Sequence, residues 1–142
     1  MNSIHSFDIN FHHDSRGRLE YCNDFDLSGF KRFYMISPSE SGQIRAWQAH
    51  KSEEKVFVPI YGKIKLVLVP ILDWTSKEVG NPLVKILDCD VPALVHVPGG
   101  FANGFQFLDL NAKLMVFSNF SLKESKQDDF RFDSKEFFDW HQ

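Results

Sequence analysis

Two stretches of this chain concentrate side chains that bind anions, hold carbonyl oxygens or move protons. The first is Gly42-Gln43-Ile44-Arg45-Ala46-Trp47-Gln48-Ala49-His50, followed closely by Glu54 and Lys55; the second is Pro98-Gly99-Gly100-Phe101-Ala102-Asn103-Gly104-Phe105. Arg45 offers a guanidinium to a phosphate or carboxylate, whereas His50 and Lys55 can take or hold a proton. Gln48 and Asn103 offer carboxamides, which hydrogen-bond hydroxyls and carbonyls but do not titrate near neutral pH. One imidazole and one carboxylate, at His50 and Glu54, with amides at Gln48 and Asn103, make a poor set of ligands for a transition metal, so no metal is expected. His50 has two readings of equal weight: a general base, or a buried, hydrogen-bonded core histidine. Residues two apart on a strand share a face, so Gln48 and His50 look one way and Arg45 the other. The set converges only with a bend or bulge near Ala46.

These residues must be held by strands. Alternation and β-branched or aromatic content predict strands over 55–58, 63–69 and 113–117, with further short ones at 19–21, 30–36, 44–50, 84–87, 93–97 and 104–107. In the second, Ile64, Leu66 and Leu68 share one face and Lys63, Lys65 and Val67 the other. Pro59 has no amide hydrogen and belongs at a strand edge or a bulge. No segment carries a helical stripe, and the best long loop is Asp73 to Pro82. Many short strands punctuated by Gly, Pro, Asn and Ser predict an all-β, cupin-type double-stranded β-helix (jelly roll). From about Ser121 to Gln142, Lys, Glu and Asp alternate with Phe130, Phe132, Phe137, Phe138 and Trp140. So many aromatic rings do not stay in water, so this tail is expected to cap the barrel or cross to a partner subunit.

A chain of 142 residues with 43% hydrophobic content suits one domain over 1–142 with a core that needs no staples. Cys22 and Cys89 lie outside any Cys/His cluster and read as two reduced thiols. A net charge of −3 with dispersed basic residues gives no reason to expect nucleic acid. The opening lacks a basic, then apolar, leader pattern and no later apolar run reaches membrane-spanning length, so a cytoplasmic protein without membrane partners is expected.

The order and spacing of several pieces resemble the dTDP-4-dehydrorhamnose 3,5-epimerases and the neighbouring dTDP-4-keto-6-deoxyhexose 3,4-ketoisomerases, metal-free RmlC-like cupins that act on nucleotide sugars. The resemblance runs through Asp14-Ser15-Arg16-Gly17-Arg18-Leu19, Phe30-Lys31-Arg32-Phe33-Tyr34-Met35-Ile36, Gly42 to His50, Lys55, Gly62, Pro98 to Leu108, and Asp128-Asp129-Phe130-Arg131-Phe132-Asp133 with Asp139-Trp140. The epimerase pattern is Arg-Gly-Leu-His-Tyr-Gln. Arg45 matches its arginine, and Gln48 stands where its proton-abstracting histidine would be. The ketoisomerase pattern is Arg-Gly-x-His-Ala-His; Ala49 and His50 match its end, so this pattern fits slightly better. Lys55, seven residues before Gly62, matches the epimerase lysine. The epimerases' turn histidine is Asn103 here, and their catalytic tyrosine aligns near Val116.

The resemblance implies a dTDP-deoxyhexose ligand, no cofactor and a homodimer formed through exchanged strands. Arg16, Arg32 and Arg45 are candidates for the diphosphate, Tyr34, Trp47 and Phe105 for the lining, and Gln48 and Asn103 for sugar hydroxyls. His50 is the candidate base and Lys55 the cation that steadies an enolate. Two readings follow: an epimerase or isomerase of deoxysugar and surface polysaccharide synthesis that moves a proton beside the C4 ketone, or a non-catalytic relative that binds a sugar nucleotide. A third, a cupin with an unrelated small ligand, stays open because fold does not fix function.

Overall fold

The computed structural model describes residues 3–141. Its strands are β1 His5–Asp8, β2 Asn10–Asp14, β3 Gly17–Tyr21, β4 Arg32–Ile36, β5 Ile44–His50, β6 Lys55–Tyr61, β7 Lys63–Asp73, β8 Glu78–Val79, β9 Leu83–Asp88, β10 Ala93–Val97, β11 Phe101–Phe107, β12 Lys113–Ser118 and β13 Phe130–Arg131, with one short helix, α1 Leu122–Ser125. A five-stranded antiparallel sheet runs β1-β10-β6-β12-β4, and a six-stranded one runs β13-β5-β11-β7-β8, with β9 also on β7. The β2–β3 hairpin pairs only within itself. This is the all-β jelly roll expected from the strand pattern. Among the described residues no helix is long and apolar enough to cross a membrane.

Two apolar layers explain the burial of the second sheet. Phe57, Ile64, Leu66, Leu68, Phe105, Leu114 and Val116 fill the space between the sheets. Period-2 alternation along β7 then puts Val67, Val69 and Ile71 on the outer face, where they join Trp47, Ala49 and Ala102. The tail covers this outer face: Phe130, Phe132, Phe137, Phe138 and Trp140 pack on it, and β13 hydrogen-bonds to β5. It folds back on its own barrel. Its start is fixed by a capping box in which Ser121 accepts from the Glu124 amide and Glu124 from the Ser121 amide.

Pro59 pairs with Leu114 beside an irregularity where β6 spends an extra residue against β12, and the β10 register ends at Phe57. Edge and bulge thus coincide at the residue without an amide hydrogen. Gly62 closes the β6–β7 turn at φ 69, and a Cβ there would meet Ala112 Cα at 2.9 Å. The expected loop from Asp73 to Pro82 is shorter than the sequence suggested. β7 continues through Asp73, the Asp73 carboxylate accepts from the Thr75 and Ser76 amides, and β8 returns along β7. Cys22 and Cys89 are unpaired and half-buried.

Candidate functional site

Between the sheets lies a cavity of ≈ 770 Å³, lined by residues of β4, β5, β6 and β11 and by the tail. Its residues converge because β5 carries a bulge. Asn103 pairs with Gln48 and Phe105 with Arg45, so three steps along β5 are matched by two along β11. The extra residue restores Arg45 to the same side as Gln48, the convergence that strict alternation forbids. The Ala46–Trp47 peptide in this bulge is cis. Gly104 makes room opposite, since a Cβ there would stand 2.8 Å from the Trp47 ring.

Of the residues singled out from sequence, Arg32, Tyr34, Arg45, Gln48, Lys55, Asn103 and Phe105 line the cavity. Arg32 is held by Phe120 O at 3.1 Å and Ser125 Oγ at 2.8 Å, lies 3.7 Å from the Glu53 carboxylate, and stacks 5.4 Å from the Tyr34 ring. Trp47 touches the cavity, but its indole is only 2% exposed. The ring turns toward Phe137 and Trp140 and donates to Glu136 O at 2.7 Å, so it anchors the tail. Arg16 stands apart on the β2–β3 hairpin, paired with Asp14 at 2.6 Å. His50 is buried and is not among the cavity-lining residues. Its Nδ1 donates to Asp128 O at 2.6 Å, which fixes the tautomer with Nε2 unprotonated in the neutral ring. Burial foremost, then the charge of Lys55, lowers its pKa. Its Nε2 is buried without a hydrogen-bond partner, and Glu54 is engaged by His96 at 2.7 Å.

Lys55, Tyr34 and Asp129 are the perturbed titratable groups among the described cavity-lining residues. Lys55 is 3% exposed, and its Nζ donates to Gln48 Oε1 at 2.7 Å. The other end of that amide donates from Nε2 to Asp129 Oδ1 at 3.1 Å, and Arg131 Nε donates to the same oxygen at 2.8 Å. A carboxylate only accepts and an ammonium only donates, so the network fixes which way the Gln48 amide points. Desolvation brings Lys55 down to about 8; Arg32 and Arg131 push the same way, while Glu53 and Asp129 oppose. Desolvation raises the Tyr34 phenol to about 12, so it keeps its proton and can donate it to an oxyanion. For Asp129 burial is a raising influence, outweighed by the hydrogen bonds from Arg131 and Gln48, and its pKa is lowered.

The tail brings residues that the sequence reasoning did not select: Lys126, Asp129 and Arg131 join the cavity wall. A signal was present in the alternation Asp129-Phe130-Arg131-Phe132. On an extended segment it sends Asp129 and Arg131 one way and the two rings the other. Phe130 and Phe132 pack into the outer layer, as that alternation requires. Glu53, buried with its Oε2 accepting from Ser118 at 2.7 Å, was also missed. A fully buried carboxylate gives no periodic signal.

No protein-family model and no curated protein matches the chain. Solved structures do. QdtA, a sugar 3,4-ketoisomerase from Thermoanaerobacterium thermosaccharolyticum in complex with TDP, is 16% identical, with 91% of this chain and 88% of that chain covered and a TM-score of 0.70. A 3,4-ketoisomerase from Helicobacter canadensis is 20% identical, with coverages of 91% and 90% and a TM-score of 0.70. The RmlC epimerase of Mycobacterium tuberculosis is 19% identical, with 92% of this chain and 69% of that chain covered and a TM-score of 0.75. With its antiparallel sheets and its cavity between them, the chain has the RmlC-like cupin fold that these sugar ketoisomerases and epimerases share.

Proposed function

We propose that the cavity takes a dTDP-linked deoxyhexose carrying a C4 ketone and moves a proton at a carbon beside it, as a sugar-nucleotide isomerase or epimerase. The observation that carries this reading is the buried Lys55 amine, opening into a cavity that also holds Arg32, Arg45 and Arg131. Guanidinium groups suit a diphosphate because each presents paired donors to phosphate oxygens. Phe57 and Phe105 give the sugar apolar walls, and Asn103 offers an amide to a hydroxyl. Removing a proton beside a ketone leaves an enolate, and the Tyr34 phenol supplies a neutral donor for its oxygen. His50, with its Nδ1 spent on Asp128 O, acts in this reading as a support for the 51–54 turn.

The chain works as one domain over 1–142 and as a homodimer in the cytoplasm, in deoxysugar synthesis for surface polysaccharide. Support for the dimer comes from exposed Phe33 and Met35 on β4 and from the hairpin β2–β3, whose Phe11 and Leu19 are exposed. In this arrangement the hairpin carries Arg16 to the cavity of the second protomer. A light-scattering mass tests it: a dimer at micromolar concentration supports the assembly, and a monomer refutes it.

Proton NMR of dTDP-4-keto-6-deoxyglucose incubated with the protein tests the activity. New signals from a 3-keto isomer or a C3- or C5-inverted sugar support the proposal. Unchanged substrate alongside saturable dTDP binding would make the protein a sugar-nucleotide binder and would contradict it.

A further inference from the structure

We propose that the proton-abstracting base of this site is the neutral Lys55 amine, aimed by Gln48, so that the amide at position 48 and the lysine at position 55 together do the work of an imidazole. The inference rests on the proposed sugar-nucleotide chemistry and assigns the role within it.

The geometry carries it first. Lys55 Nζ sits in the cavity wall and donates to a neutral acceptor, Gln48 Oε1, at 2.7 Å. A neutral amine has two hydrogens and one lone pair; donating to Gln48 leaves the lone pair available to a ligand. Gln48 cannot turn over, because Asp129 accepts from its other end and is itself held by Arg131. The carbonyl therefore faces Lys55 in either protonation state. A carboxylate at position 48 would instead bind the ammonium and hold the proton on it. Around Lys55 the other elements present His50 from β5, Arg32 and Tyr34 from β4, Glu53 from the turn before β6, and Asp129 and Arg131 from the tail. Cations and burial here outweigh the two carboxylates, which keeps the amine basicity close to working pH. Among the other described cavity-lining groups, the Asp129 carboxylate already accepts from Gln48 and Arg131 through Oδ1. Arg32, Arg45 and Arg131 stay charged, Tyr34 holds its proton to about 12, and Gln48 and Asn103 do not titrate.

The step balances without a co-reactant. The lone pair of Lys55 Nζ takes the hydrogen from the carbon beside the ketone, and the C–H electron pair moves to form the carbon–carbon double bond. The carbonyl electron pair moves to oxygen, giving an enolate beside a Lys55 ammonium. The ammonium then returns that proton to the former carbonyl carbon, while the proton of the neighbouring hydroxyl passes to the enolate oxygen, so the ketone re-forms one carbon along and the amine is neutral again.

A base and an electrostatic stabiliser demand opposite protonation states, and this decides the test. The wild-type rate of conversion of dTDP-4-keto-6-deoxyglucose is measured against pH, together with Lys55→Arg and Gln48→Glu. For a base, kcat/KM rises with pH to a plateau above about 8. Lys55→Arg, which keeps the charge, lowers kcat at least about 100-fold while dTDP affinity by calorimetry is retained. Gln48→Glu moves the rising limb upward by about one pH unit or more. A rate that falls as pH passes 8, or a Lys55→Arg enzyme of near wild-type activity, would overturn the base assignment and leave the proposed reaction standing. A wild-type protein that binds dTDP but converts nothing would remove both.

Discussion

Replacing Lys55 by methionine should make the protein more stable while stopping its chemistry. Burial takes Lys55 from its usual 10.5 to about 8. At about 1.4 kcal/mol per unit, carrying the ammonium in this site near neutral pH costs folding about 3 kcal/mol. Methionine removes that cost and fills a similar volume beside Tyr34, but it leaves Gln48 Oε1 without its donor, a loss of about 1 kcal/mol. The expected gain is about 2 kcal/mol near pH 7. The sign follows from proton counts. Between 8 and 10.5 the unfolded chain holds the Lys55 proton more than the folded chain does, so wild-type stability rises with pH over that window. Methionine has no proton to lose, so its advantage is greatest below 8 and fades toward 10.5. Urea unfolding at about pH 7 and about pH 9.5 measures both parts. A variant no more stable than wild type at either pH would refute the view of Lys55 as a desolvated, destabilising amine kept for function.

Other expectations follow from the same contacts. Trp47→Ala should cost about 3–5 kcal/mol in thermal unfolding, because it empties the center of the outer layer and frees Glu136 O; an unchanged melting temperature would contradict its role as the anchor of the tail. Asp128→Ala should cost about 2–4 kcal/mol in urea, since its carboxylate accepts from the amides of Lys51, Ser52 and Glu53 at 2.7, 2.8 and 2.8 Å. Arg45→Ala and Arg131→Ala should each weaken dTDP binding about tenfold or more by calorimetry, the loss of a charge-assisted contact. Equal affinity in both variants would remove the diphosphate from this end of the cavity.

What could be read from the sequence depended on whether a residue's role left a periodic trace. β7 announced itself by alternation, and its Ile64, Leu66 and Leu68 are buried in the inner layer as that pattern required. Val67 shares the face of Lys63 and Lys65 and is nonetheless buried, because the tail covers that face; alternation reports which side a residue takes, not what lies there. The two-residue β8 and β13 fall below the length at which any pattern is visible. The need for a bulge near Ala46 was legible because Arg45 and Gln48 have opposite parity, and the β5–β11 register contains it. The site was legible where chemistry demands rare residue types, as at Arg45 and Lys55. It was not legible for Glu53, whose burial depends on Ser118 of a distant strand, nor for the desolvation of Lys55, which is a property of the closed barrel. Trp47 illustrates the reverse limit. An aromatic ring beside a candidate site suits a ligand as well as a core, and only the position of the tail decides between them.

Proton exchange at the sugar carbons tests the central claim most directly, because it reads the elementary step even where equilibrium favours the starting sugar. In deuterated water, dTDP-4-keto-6-deoxyglucose with the wild-type protein should gain deuterium at a carbon beside the ketone faster than without protein, and Lys55→Met should abolish the excess. A sugar that occupies the cavity, broadens its nucleotide signals and yet exchanges no faster than in the protein-free control would contradict proton transfer at this site.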